Sequence, residues 1–435
     1  MKPDPIRRYL GKRADLVSRP LVASGPLHDI EHVVVIPVLA EEDYLFETLA
    51  SLAANPEAAL ARTLVICVVN NRAVPHARLE DIEENRRTLT RLDALVHGRD
   101  SAVKGSLRAA YVDASSPGRE LPPKDGVGLA RKIGMDRGLS VLHDAQATRG
   151  VLLSLDADTL VQPNYIEAVR QHFTRPDAWA GVTAYAHRLD GSSDEITGIL
   201  CYELFLRYHA MGLAYAGSPY AFAAIGSTIA CRAEAYAAVS GMNRRQAGED
   251  FYFLQELAKT GRVDAIRTTK VYPSCRASER VPFGTGQRVR RFSEGRQKAL
   301  TAYHPKCYRI LKQWLAVVAN SLDAPAQTLL SRAGEVCPHL AAFLEANGFE
   351  RAWDGFRAHS PDARRAHAQF HRWFDGLKTL RLIHHLRDNG FPRQDLFQAI
   401  DVLLTMTGKT SPVIIDSGIS DDPDRQLVLL NCLRA

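Results

Sequence analysis

Residues 151–161 read VLLSLDADTLV, an apolar run that ends in two aspartates one residue apart. A run of this kind reads as a buried strand, with Asp156 and Asp158 on the turn that must follow it. Two oxygen donors on one short turn suit a hard divalent cation, Mg²⁺ or Mn²⁺, and such a cation can neutralise a diphosphate. The plain alternative is a polar surface turn, where Asp-x-Asp is common. Context favours the site, because Leu152, Leu153 and Leu155 supply the strand, and Pro163 followed by Tyr165, Ile166 and Val169 supplies a helix after it. The chemistry indicated is that of sugar nucleotides.

A second carboxylate pair, Glu249 and Asp250 in AGED, opens a helical period marked by Phe251, Leu254, Leu257 and Ala258. A carboxylate at a helix start can be a cap worth about 1 kcal/mol, and an isolated Glu-Asp would be read that way. Downstream of the Asp pair, however, a carboxylate on a rigid helix N-terminus is placed to take a proton from a hydroxyl beside a phosphate site. Asp250, with Glu249 next to it, is the candidate catalytic pair.

The elements that must carry these residues are legible upstream. HVVVIPVLAEED gives a β-branched strand and then a helix through Leu45, Leu49 and Leu52, and TLVICVVNN gives a second strand. Strand, helix and strand in that order predict a parallel α/β sheet that binds at the carboxyl ends of its strands. GVGLARKIGMDRGL starts a helix behind Gly126 and Gly128, which serve either a tight turn or a phosphate cradle. AWAGVTAYAHRL reads as a strand, GILCYELFLRYHAMGLAYAG as a helix whose Tyr202, Phe205 and Tyr208 stripe belongs to a core, and FAAIGSTIACRAEAYAAVSGM as strand, turn and helix. Beyond about Leu300 only helical periods remain.

Taken in order, IPVLAEED, VVNN, GVGLARKIG, DAD, IGSTIACRAEAYAAVSGM and AGED resemble the family 2 glycosyltransferases with the GT-A fold, over roughly residues 30–300. The resemblance implies a GT-A mixed sheet flanked by helices, an inverting transfer from a nucleotide-diphosphate sugar, and a divalent metal, Mn²⁺ or Mg²⁺. It implies Asp156 at the ribose or metal, Asp158 as main metal ligand and Asp250 as general base. It also places Pro37, Val38 and Glu41 at the nucleoside, Asn70 where an aspartate is common, and Arg131 beside the nucleotide. An amide at Asn70 can still pair with a base edge, and Arg131 is otherwise a solvated helix charge. His187 is the candidate third ligand, although a lone histidine beside a strand is more often structural.

The segment CRASERVPFGTGQRVRRFSEGRQK gathers Arg276, Arg280, Arg288, Arg290, Arg291, Arg296 and Lys298. It reads as a solvated basic face or, with Pro282, Gly284 and Gly286 ordering a loop, as an anion site in which Arg280 and Arg290 touch the donor diphosphate or an anionic acceptor. QRVRR partly matches the exit motif of processive synthases, but Arg291 replaces the expected tryptophan, so transfer is expected to be non-processive.

The 435 residues divide, on this reading, into a basic arm at 1–30, a GT-A domain at 31–300 and an all-helical region at 301–435. A net charge of +6 over so long a chain does not imply nucleic-acid binding. Seven scattered cysteines without metal spacing fit a reducing cytoplasm, and the absence of any long apolar run leaves at most a peripheral membrane contact. The expected partners are a nucleotide-sugar donor and a carbohydrate, lipid-linked or small-molecule acceptor. Two rivals remain. A nucleotidyltransferase of related fold would carry a Gly-rich basic loop where Val38 to Asp43 is acidic, and a non-catalytic sugar-nucleotide-binding protein would account for Asn70.

Overall fold

The computed structural model describes residues 4–100, 103, 105–147, 149–276, 300–360, 362–416 and 418–434. The chain divides into two compact units, one made of Met1–Gly191 with Ala224–Gln287 and the other of Ser192–Ala223 with Arg288–Ala435.

The first unit is built on a nine-stranded sheet. Its strands are β1 (Leu21–Ala23), β2 (His32–Val38), β3 (Thr63–Asn70), β4 (Arg108–Ala114), β5 (Val151–Ser154), β6 (Thr159–Val161), β7 (Ala180–Tyr185), β8 (Ile229–Arg232) and β9 (Val263–Pro273). Their spatial order is β1-β4-β3-β2-β5-β8-β7-β9-β6. β2 runs parallel to β3 and β5, and β3 parallel to β4, so the carboxyl ends of these four strands share one edge. β8 is antiparallel to both β5 and β7, which makes the sheet mixed. Every residue of β2, β3 and β5 is buried, as expected of parallel strands covered on both faces.

The helices of this unit are α1 (Pro5–Arg13), α2 (Glu42–Ala53), α3 (Glu57–Leu60), α4 (Leu79–Val96), α5 (Val127–Asp144) and α6 (Tyr165–His172), then α8 (Ala233–Ala238) and α9 (Glu249–Thr260) after the intervening α7 (Ser193–Tyr215) of the second unit. α5 lies close on the sheet because two of its residues lack side chains. A Cβ at Gly134 would collide with Val35, and one at Gly138 would come within 2.8 Å of Val33 and 2.9 Å of Leu152.

Within residues 4–30 the chain packs onto the sheet unit at two elements, α1 and β1. α1 is capped by Asp4, and its Tyr9 is buried, donating to Asp136 at 2.8 Å while accepting from Lys132 at 2.6 Å. Tyr236 of α8 also donates to Asp136, at 2.7 Å, and β1 joins the sheet edge against β4. The basic composition of the segment hid these few anchoring residues.

Among the described residues, the second unit is helical apart from a short two-stranded pairing. It includes α7, so Tyr202, Phe205 and Tyr208 belong here rather than to the sheet unit. Tyr208 is fully buried, whereas Tyr202 and Phe205 are half-buried. Trp314 centres an aromatic cluster with Phe349, Phe370 and Phe374. No helix among the described residues is long and apolar enough to cross a membrane.

Candidate active site

The Asp pair stands where β5 gives out. Leu155 N–H still donates to Val35 O at 3.0 Å, and Asp156 O then accepts from Thr159 N–H at 3.2 Å, closing the turn that leads into β6. Ala157, inside that turn, is buried, and its carbonyl accepts from the Thr48 hydroxyl at 2.8 Å. Alternation does the rest: buried Ala157 and Thr159 leave Asp156 and Asp158 partly exposed, with 32% and 21% of their side chains accessible.

Arg131, on the second turn of α5, joins this pair to the second motif. Its Nη1 donates to Ser154 Oγ at 2.6 Å, its Nη2 to Asp156, and its Nε to Glu249 at 3.0 Å. The side chain is only 3% exposed. Burial opposes its charge, but the Asp156 and Glu249 carboxylates outweigh that and hold the guanidinium above its usual range. Arg131 is therefore neither a solvated helix charge nor, in this arrangement, a side chain open to a nucleotide. Gly226 makes room for it, since a Cβ there would strike the guanidinium.

Glu249 is buried, and its carboxylate is paired with Arg131. Asp250 differs. It is partly exposed, its Oδ1 accepts from Phe251 N–H at 2.7 Å, and desolvation, helped by the neighbouring Glu249 carboxylate, pushes its carboxyl up to about 7. Gly248, with φ of 70°, makes the left-handed bend that starts α9, and no side-chain cap closes that end.

Arg276, just past β9, completes the mouth. Its Nε and Nη2 lie 3.1 Å and 3.0 Å from Asp158 Oδ2, Nη2 also donates to Glu41, and Cζ sits 4.2 Å over the Tyr44 ring. The basic cluster pointed to this residue but not to its partners, because no local pattern links side chains 118 positions apart.

Three expected nucleoside contacts are engaged otherwise. The Asn70 amide donates to Val38 O at 2.9 Å and Val68 O at 3.1 Å, tying the ends of β2 and β3 together. Asn85 extends the network, donating to Asn70 O at 3.0 Å and to Asn71 at 2.8 Å while accepting from Ala40 N–H at 2.9 Å. Pro37 and Val38 are buried within β2, and only Glu41, beyond its end, reaches the site. Gly126 and Gly128 admit the loop 243–246, whose Arg245 O accepts from Gly128 N–H at 3.1 Å and would lie 2.5 Å from a Cβ there. Arg280 and Arg290 lie outside the described residues.

His187 is buried, its ring edge-on to Tyr185. Among the described residues no three His, Cys, Asp or Glu side chains gather as a metal cluster, so His187 does not complete one with the Asp pair. The donor set here is two carboxylates, each also paired to an arginine. Mg²⁺ and Mn²⁺ accept such a pair when phosphates and water complete the shell, so the residues fit a hard cation held jointly with a diphosphate. A cavity of about 480 Å³, lined by His32, Arg62, Arg149 and Arg170, lies at the amino ends of β2 and β5, the opposite edge of the sheet.

Residues 151–333, which include the Asp pair, Gly226, Glu249, Asp250 and Arg276, match the family model described as glycosyl transferase family group 2. No curated protein compared with the chain matches it. Among solved structures, Staphylococcus aureus TarS 1–349 in complex with UDP-GlcNAc is 12% identical with a TM-score of 0.38, over 83% of this chain and 93% of that one. The mannosyltransferase PcManGT from Pyrobaculum calidifontis, in complex with GDP-Man and Mn²⁺, is 15% identical with a TM-score of 0.36, over 84% and 92%. Glucosyl-3-phosphoglycerate synthase from Mycobacterium tuberculosis in complex with UDP is 14% identical with a TM-score of 0.34, over 76% and 83%. At these scores the likenesses decide neither donor nor acceptor. The family match thus falls on 151–333, the stretch that carries the Asp pair, Glu249 and Asp250 in the mixed-sheet unit.

Proposed function

We propose that the chain transfers a sugar from a nucleotide-diphosphate donor to an acceptor hydroxyl with inversion at the anomeric carbon. The observation that carries this reading is Arg131, which binds Asp156 of one motif and Glu249 of the other and so puts both motifs in one site. Asp250, next to Glu249 and with a carboxyl near 7, is suited to take the acceptor proton. Asp158 and Asp156 would hold a divalent cation together with the donor phosphates, where it would supply positive charge for a leaving diphosphate. Glu41, on the loop after β2, faces the same mouth and is placed to meet the nucleoside end of the donor. No covalent nucleophile is required. The cysteines, all free and six of the seven buried, support action in a reducing compartment such as the cytoplasm.

Donor turnover with UDP- and GDP-sugars and Mn²⁺, with the product anomer read by NMR, tests the reading. Asp250→Asn should lower kcat by roughly 10²–10⁴ while leaving the donor Kd nearly unchanged. A variant that turns over normally, or a product that retains the donor configuration, would remove Asp250 from the role of base.

A further inference from the structure

The proposed cation ligand Asp158 already has a cationic partner. Arg276 places two nitrogens on one oxygen of Asp158, at 3.0 Å and 3.1 Å, and shares one of them with Glu41. The two carboxylates come from different loops, one after β2 and one after β5, and all three side chains are at most 21% exposed. Like charges drawn together in a poorly hydrated mouth repel, and a guanidinium between them removes that repulsion. Tyr44 lies under the same guanidinium, a geometry that favours a planar cation.

We propose that Arg276 is the resident counter-cation of the donor site: it holds Asp158 and Glu41 together in the free protein and gives up Asp158 to a divalent cation when a nucleotide diphosphate arrives. The inference rests on the reading of Asp158 as a cation ligand and adds the residue that competes for it. Without nucleotide, an incoming cation must strip Arg276 of its carboxylate partner and also meets its positive charge. With a diphosphate present, the released guanidinium finds phosphate oxygens that match its fork. Cation and nucleotide binding are therefore coupled, and Arg276 is the source of the coupling.

The test is Mn²⁺ binding, by calorimetry and by the electron paramagnetic resonance signal of free Mn²⁺, with and without UDP or GDP. The wild-type chain should take up Mn²⁺ poorly alone and at least about 10-fold more tightly with nucleotide, within the usual range of coupling between sites. Arg276→Gln should bind Mn²⁺ alone about 10-fold more tightly than wild type and lose most of the nucleotide enhancement. Arg276→Lys, which keeps the charge, should stay close to wild type. If Arg276→Gln binds Mn²⁺ no more tightly, or keeps the full enhancement, Arg276 is not the competitor. If wild type binds no Mn²⁺ even with nucleotide, and Asp158→Asn behaves identically, the assignment of Asp158 itself falls.

Discussion

Glu249 is paired with the buried Arg131 guanidinium, while desolvation and the Glu249 carboxylate raise the carboxyl of its neighbour Asp250. For Asp250 the consequence is a pH dependence with a definite sign. Its folded pKa, about 7, lies above the ordinary 3.8, so the fold favours the neutral acid. That stabilisation is complete below about pH 4 and is lost as pH rises through about 7. Catalysis by a carboxylate base runs the other way, and turnover should climb through about pH 7. Asp250→Asn, neutral at every pH, should therefore melt a few degrees above wild type at pH 8 and alongside it at pH 4, while what activity remains loses the limb near 7. Thermal melts and pH–rate profiles check both. A melting difference of equal size at the two pH values would mean that the carboxyl is not held neutral by the fold.

Among the elements, α5 matters most, since it carries Arg131 and is pressed against β2, β3 and β5 by Gly134 and Gly138. An alanine at Gly134 gains about 1 kcal/mol of helix propensity but must displace the Val35 and Val68 methyls of fully buried strands, an overpacking cost of roughly 1–3 kcal/mol. Strain should win, with a net loss of up to about 2 kcal/mol in urea unfolding. Gly355, in the helix Phe349–His359 with nothing within 4 Å of its Cβ position, is the control and should gain about 1 kcal/mol as alanine. Legibility followed the same division. Strands β2, β3, β5, β7 and β8, α5, the Asp turn and the start of α9 were readable because period, apolar runs and motif order are local signals, whereas β1 lay hidden in a segment read as a basic arm. The Arg131 bridge, the Arg276 clamp and the amide network of Asn70 were not, because each joins residues brought together only by strand order. Asn70 illustrates this: a polar residue at a strand end looks like a ligand contact, and only the adjacent end of β2 shows that its donors go to Val38 and Val68 carbonyls.

At the scale of the whole molecule, the two units are not consecutive stretches of chain. The first is left at Gly191 and resumed at Ala224, with α7 assigned to the second. A division at residue 300, natural from composition, would separate α7 from the helices it packs with. Leu200, Leu204 and Tyr208 are buried there, and Glu203 is held by Arg434 at 2.9 Å and 3.1 Å. A chain ending at residue 300 should expose that face, aggregate, and bind hydrophobic dye far more than the full chain. A second truncation that replaces 192–223 with a short polar linker should restore a monodisperse sheet unit. Equal solubility of the two truncated chains by size-exclusion chromatography would show that α7 does not depend on the later helices.

That discontinuity also sets an order of events on the ribosome. α7 leaves the exit tunnel long before its last partner, because Arg434 follows Glu203 by 231 residues. Strands β8 and β9, by contrast, emerge soon after it and can close the sheet around β5 and β7 at once. The sheet can therefore mature while an apolar helix tethered to it at both ends still lacks its neighbours. Throughout that interval the nascent chain presents a target for chaperones, and synonymous codon changes that slow translation between residues 224 and 434 should lengthen it.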